Sequence, residues 1–315
     1  MPNTFIPLGS PNLSAAPHMR GCSCAQHRRR LFTGALLAGA AWPALAREGV
    51  EVGRESKFTK LVSAEQIEAS ATKQYAQMLQ QAQQQKALAP DGHPQVVRLR
   101  EIAKRIVPYA HDWNPRAKDW RWEINLIGSK QLNAFCMPGG KIAFYYGILA
   151  QLQLTDDEVA TIMGHEVAHA LREHARERMG KQMATQVGAG LLSSLLGFRD
   201  LGNAALNMGS QLLSLTFSRE DETEADLVGM ELSARAGYNP VAGVSLWTKM
   251  GAANKGAPPQ WLSTHPAGPT RIRDIESNLS KVDSLYQRAD KPTRQFGPPA
   301  LKQATGAGNG ASGAY

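Results

Sequence analysis

The residues best suited to chemistry form one short run, His165-Glu166-Val167-Ala168-His169. On an α-helix, residues four apart differ by only about 40° around the axis, so both imidazoles leave one face and can share one metal ion. Glu166 is turned about 100° from His165, near enough to reach a water on that ion without being a ligand. The ordinary alternative is a solvated helix face that carries two histidines by chance. Val167, Ala168, Ala170 and Leu171 argue against it, because a charged triplet inside an apolar helix is costly unless a cation compensates it. A catalytic zinc takes three protein ligands and keeps one position for water. The third ligand is expected from Glu222-Thr223-Glu224-Ala225-Asp226. Glu222 and Asp226 share a helical face, so one acid can bind the metal while the other accepts the free ring N–H of a ligand histidine. Spacing alone leaves Glu222 and Glu224 both open. The cofactor expected is Zn2+, one ion per chain.

These side chains need rigid elements behind them. A helix is expected to open at Thr155, where Thr155 and Glu158 can form a capping box, and to run to about Met179. A second, from Glu220 to Ala236 and stopped by Gly237, carries the acidic cluster. Further helices are expected from Ser63 to about Ala87, from near Pro94 to Ile106, from Asn239-Pro240 onward and over 270–288. Alternation marks strands at Trp120 to Ile127, Gln131 to Met137 and Lys141 to Tyr146, the last two joined by a turn at Pro138-Gly139-Gly140. The Gly-, Ala- and Leu-rich stretch 180–217 is broken by Arg199 and Asp200, so two packed helices are expected there rather than a membrane span. The fold class expected is α+β, mainly helical, with a small antiparallel sheet.

The formal charge of +8 suggests a nucleic-acid partner until its source is located. Residues 1–46 hold Arg20, Arg28, Arg29 and Arg30 and no acid, so the remainder carries 31 basic against 27 acidic residues, or +4. That balance, with no basic stripe, gives no reason to expect nucleic acid. His27 to Arg30, the apolar run Leu31 to Trp42 and Pro43-Ala44-Leu45-Ala46 follow the basic, apolar, small-residue order of a cleaved secretory signal. Its apolar run of about 15 residues is short of the roughly 20 that a spanning helix needs. Arg29-Arg30-Leu31-Phe32 fits the twin-arginine export form, with the general secretory route as the alternative. Cys22 and Cys24 would leave with the signal, and Cys136 alone cannot form an intramolecular disulfide. The expected organisation is a signal peptide over 1–46, one catalytic domain over 47–290 and a disordered tail over 291–315. The expected location is the periplasm, with no transmembrane helix in the mature chain and room for association with a membrane surface.

His165 to His169 followed by Ser218-Arg219-x-x-Glu222-x-x-Ala225-Asp226 resembles the gluzincin metallopeptidases that include the CAAX prenyl proteases and HtpX. Asn133-Ala134-Phe135 with Gly139-Gly140, His174, and His265-Pro266 with Arg271 extend the likeness over roughly residues 60–285, and the soluble periplasmic members are the most similar. The resemblance implies a zincin-type domain with Glu222 as third ligand and Asp226 as the acid behind a ligand histidine. It implies that Asn133, Ala134 and Phe135 form an edge strand lining the active-site cleft, on which a substrate backbone is laid. It places His265 near the metal, either filling the open position at rest or stabilising the oxyanion. His174 matches too, but about 140° of helix separates it from the ligand face, so a structural role is expected. The activity implied is zinc-dependent endoproteolysis of unfolded or misassembled envelope proteins, with Glu166 as base. A chaperone-like envelope assembly factor with latent peptidase activity is the main alternative; a zinc hydrolase of non-peptide substrates is another.

Overall fold

The computed structural model describes residues 48–194, 212–253, 260–265 and 270–300. Residues 1–46, where a signal is expected, residues 195–211 of the Gly- and Leu-rich stretch, and 301–315 lie outside the described residues. Ten helices and three strands are described: α1 (Ala64–Gln84), α2 (Pro94–Ile106), β1 (Glu123–Ile127), β2 (Ala134–Met137), β3 (Lys141–Tyr145), α3 (Tyr146–Gln151), α4 (Asp156–Leu171), α5 (His174–Ser194), α6 (Arg219–Arg235), α7 (Ala242–Ala253), α8 (Gln260–Thr264), α9 (Arg271–Asn278) and α10 (Ser280–Arg288). The α+β, mainly helical class holds. No described helix is long and apolar enough to cross a membrane.

The sheet is mixed rather than wholly antiparallel. Its order is β1-β3-β2, with β2 antiparallel to β3 but β1 parallel to it. β1 and β2 are consecutive in the chain but occupy opposite edges, and β3 returns between them. The hairpin turn is as expected: Gly139 and Gly140 sit at φ +83° and +76°, a conformation that L side chains rarely adopt. One core lies between the sheet and α2, α4 and α6, built from Leu99, Ile102, Phe144, Ile148, Met163 and Val228. A second joins the sheet to α1 through Ile67, Ala71, Tyr75, Met137 and Ala143.

The contact that matters most for chemistry is between α4 and α6, the most extensive between any two elements. Both helices open on a capping box, Thr155 with Glu158 and Ser218 with Asp221. They touch backbone to backbone: a Cβ on Gly164 would lie 2.6 Å from Gly229 O, and one on Gly229 would lie 2.6 Å from His165 N. The helix that carries the acids thereby comes within reach of the helix that carries the histidines.

Three expectations need correcting. The first site helix does not run to Met179. It stops at Leu171, Glu173 takes φ +56°, and α5 starts at His174 in a new direction. The terminal helix is two helices, α9 and α10. The disordered tail expected from residue 291 does not begin there, because Asp156 accepts the Phe296 and Gly297 backbone N–H groups at 2.7 and 3.2 Å and the Gln153 amide donates to Pro299 O.

Candidate metal centre

His165 and His169 leave α4 one turn apart, and their Nε2 atoms stand 3.1 Å from each other. Glu222, in the first turn of α6, brings its carboxylate to 3.4 Å from His169 Nε2 and 3.6 Å from His165 Nε2. His265, directly after α8, places Nδ1 3.3 Å from His165 Nε2 and 2.9 Å from Glu222 Oε1. All four residues are only 3% exposed. A tetrahedral ion with bonds of about 2.05 Å requires its donors to stand about 3.3 Å apart. The five distances, 2.9 to 3.6 Å, bracket that value.

The outer partners turn the lone pairs inward. Asp226 Oδ1 lies 3.0 Å from His165 Nδ1, so that nitrogen carries the proton and Nε2 offers its lone pair. Behind His169 the arrangement is a relay. Glu224 Oε2 accepts from His174 Nε2 at 3.0 Å, which leaves His174 Nδ1 to accept from His169 Nδ1 at 2.9 Å. His169 Nε2 is thereby also a lone pair facing the centre. Two neutral imidazoles, a carboxylate and a third imidazole converging on one buried point form a donor set suited to a divalent ion such as zinc.

Charge in the cluster is balanced by Arg271. Its guanidinium donates to Glu222 Oε2 and Asp226 Oδ1, each at 2.7 Å, and its Nε pairs with Asp226 Oδ2 at 2.6 Å. Burial works to raise the Glu222 carboxyl, but its close contacts with His169 and His265 outweigh it and hold the group well below the usual carboxylate range. Burial likewise opposes the ionised Asp226, and Arg271 overcomes it. Burial pushes His169 well down, which keeps that imidazole neutral. Burial would lower His265 as well, yet Glu166 and Glu222 together raise it.

Glu166 is buried beside the donors, with Oε1 3.6 Å from His265 Nε2. Asn133, Ala134 and Phe135, at the start of β2, line the same cavity as Glu166, His169 and His265. β2 is an edge of the described sheet. His165, Glu166, His169, Glu222, Asp226, His265 and the Asn133–Phe135 stretch are therefore gathered in one place. Glu224, left open as a ligand by spacing, points instead to His174 and to Arg172, which it meets at 2.8 Å. The work of Arg271 and Trp261, and the return of His174 to the site, were not read from the sequence. Gly164, directly before His165, and Gly229 in α6 are the signals that could have located the helix crossing, since a lone glycine inside a helix usually has a packing reason.

An α4 that supplies two imidazoles and a carboxylate, an α6 that supplies a further acid, and an edge strand alongside are the arrangement that the comparisons with known proteins bear on. The profile of peptidase family M48 matches residues 95–279, and the chain belongs to that family. The chain is 32% identical over 206 residues to the mitochondrial metalloendopeptidase OMA1 of Schizosaccharomyces pombe, a match that covers 64% of this chain and 58% of the relative. It is 27% identical over 184 residues to metalloprotease LoiP of Escherichia coli, covering 57% of this chain and 71% of LoiP. A β-barrel assembly-enhancing protease of Vibrio cholerae is 31% identical over 170 residues, 51% of this chain and 35% of that one. The expected likeness to LoiP is borne out. The chain spans 58% and 63% of the two fungal OMA1 relatives it matches.

Proposed function

We propose that this chain is a zinc-dependent endopeptidase of the bacterial cell envelope, acting on unfolded or misassembled proteins. The observation that carries the reading is the convergence of His165, His169 and Glu222 donors at tetrahedral spacing, with Glu166 and the β2 edge in the same cavity. A zinc ion in that donor set would supply Lewis acidity to the scissile carbonyl and to water. Glu166 takes a proton from the attacking water and passes it to the leaving amine. Asp226 fixes the His165 tautomer. Asn133, Ala134 and Phe135 align an extended backbone through main-chain hydrogen bonds, which suits unfolded segments of varied sequence. The secretory pattern of residues 1–46 and a relative named for β-barrel assembly support a periplasmic location. Purified protein loaded with zinc should cleave an unfolded substrate such as reduced casein. A zinc chelator or Glu166→Gln should abolish cleavage, and cleavage that survives both would sink the reading.

A second reading, an assembly factor with latent peptidase activity, is favoured by the position of His265. Its Nδ1 lies among the ligand donors, 3.3 Å from His165 Nε2, where it competes with water for the fourth position. His265→Ala should then raise basal cleavage and self-cleavage. A near-total loss would assign His265 to the oxyanion instead, where one lost donor costs roughly 10²–10³ in rate.

A further inference from the structure

Glu166 is held by a residue with no part in the metal donor set. The indole N–H of Trp261, in α8, donates to Glu166 Oε1 at 2.6 Å, and Trp261 is 1% exposed. No described hydrogen bond engages Glu166 Oε2. The anchored oxygen is also the one that lies 3.6 Å from His265 Nε2, so the indole fixes how the carboxylate meets the donors. An indole N–H is a donor only and does not titrate in the working range, so it can orient a carboxylate without exchanging protons with it.

Trp261 is itself held from three directions. Its backbone N–H donates to Leu132 O, one residue before the Asn133–Phe135 edge, at 3.1 Å. Its carbonyl accepts the His265 backbone N–H at 2.9 Å. Its ring stacks on Trp247 of α7 at 5.2 Å and 25°, and Trp247 carries the Arg271 guanidinium 3.6 Å from its ring centroid on the way to Glu222 and Asp226. One stack of two indoles and a guanidinium therefore joins the residue that holds the base to the residue that holds the acids.

We infer that Trp261 is the positioning residue for Glu166, fixing Oε1 and with it the orientation of the carboxylate toward the reacting water, with Trp247 as the common support for Trp261 and Arg271. The inference deepens the peptidase reading and rests on it for the rate, but not for the geometry. Trp261→Phe keeps the stacked ring and removes the donor. It should lower kcat about 10- to 100-fold, the range expected when a catalytic group is misplaced. KM should stay within about twofold and bound metal near one ion per chain, because neither uniform binding nor a ligand is touched. Separately, 15N-edited spectra of the whole protein should show one indole N–H resonance shifted downfield by the carboxylate. That resonance should move upfield in Glu166→Ala, and Trp261→Phe should assign it. An unchanged kcat in Trp261→Phe, or a fall that tracks lost metal, overturns the inference. So does an indole spectrum that ignores Glu166→Ala. Should the unaltered protein cleave nothing, the peptidase reading fails, and the indole resonance still decides whether Trp261 holds Glu166.

Discussion

His165 and His169 leave one helix face a turn apart, yet what stands behind them differs in kind. Behind His165 is a charge: Asp226, half-buried and clamped by Arg271, which also grips Glu222. Behind His169 is a hydrogen-bond relay, from His174 to Glu224 and on to Arg172. The first arrangement is closed in the core, with Arg271 side-chain exposure at 6%. The second ends nearer the rim, since the Glu224 side chain is 20% exposed against 12% for Asp226, and Arg172 also donates to Gly53 O. Low exposure makes an unpaired charge expensive on the first side, whereas water can compensate it on the second. The His165 side should therefore depend on charge, and the His169 side on which nitrogen carries a proton.

The largest effect tests which acid belongs to which side. Glu222→Ala removes a ligand and an Arg271 partner together, so zinc content should fall from about one ion per chain to near zero. Glu224→Ala takes away only the far end of the relay and should leave the content near one. Metal analysis of the two purified variants measures this. Full occupancy in Glu222→Ala, or loss in Glu224→Ala, would exchange their roles.

How much of this was legible depends on sequence distance. His165, Glu166 and His169 are legible from helical period, because they sit within five residues of one capped helix, whereas period left Glu222 and Glu224 both open and only the family resemblance pointed to Glu222 with Asp226 behind it. The Pro138 to Gly140 turn was legible for a similar local reason, since both glycines take positive φ. The parallel pairing of β1 with β3 was not, because β1 pairs with a strand that is not its neighbour in sequence. The contact of His174 with His169 was not legible, because the turn at Arg172-Glu173 contains neither Gly nor Pro, so nothing marked where the 3.6-residue period would be broken. Trp261 and Arg271 meet partners 45 to 95 residues away, and contacts at that separation leave no periodic trace.

The middle-sized effect compares the two outer partners directly. Asp226→Asn should weaken zinc affinity about 10- to 100-fold, as changes behind a metal ligand commonly do. The amide can still accept from His165 Nδ1, but it leaves Arg271 buried with one anionic partner where it had two. His174→Ala removes an acceptor from His169 Nδ1 and opens space that water can fill, so the loss should sit at or below the lower end of that range, about tenfold. Competition against a chromogenic chelator gives both constants. Equal losses would mean that burial does not separate the two sides.

The smallest effect is the most discriminating, because it removes charge without removing a hydrogen bond. Glu224→Gln keeps a carbonyl oxygen that can accept from His174 Nε2, so His174 Nδ1 remains an acceptor and His169 Nε2 keeps its lone pair toward the metal. What disappears is an ion pair with Arg172 near the rim, and such partly solvated pairs contribute little, about 0–1 kcal/mol. Zinc affinity should change by less than about fivefold, which is what that energy allows. The isosteric exchange at Asp226 should cost more, although both variants replace a carboxylate with an amide of the same shape. The ratio of the two losses, taken from the same chelator titration, isolates charge from tautomer. A Glu224→Gln loss as large as that of Asp226→Asn would show that the relay transmits charge to His169, and the two histidines would then be backed alike.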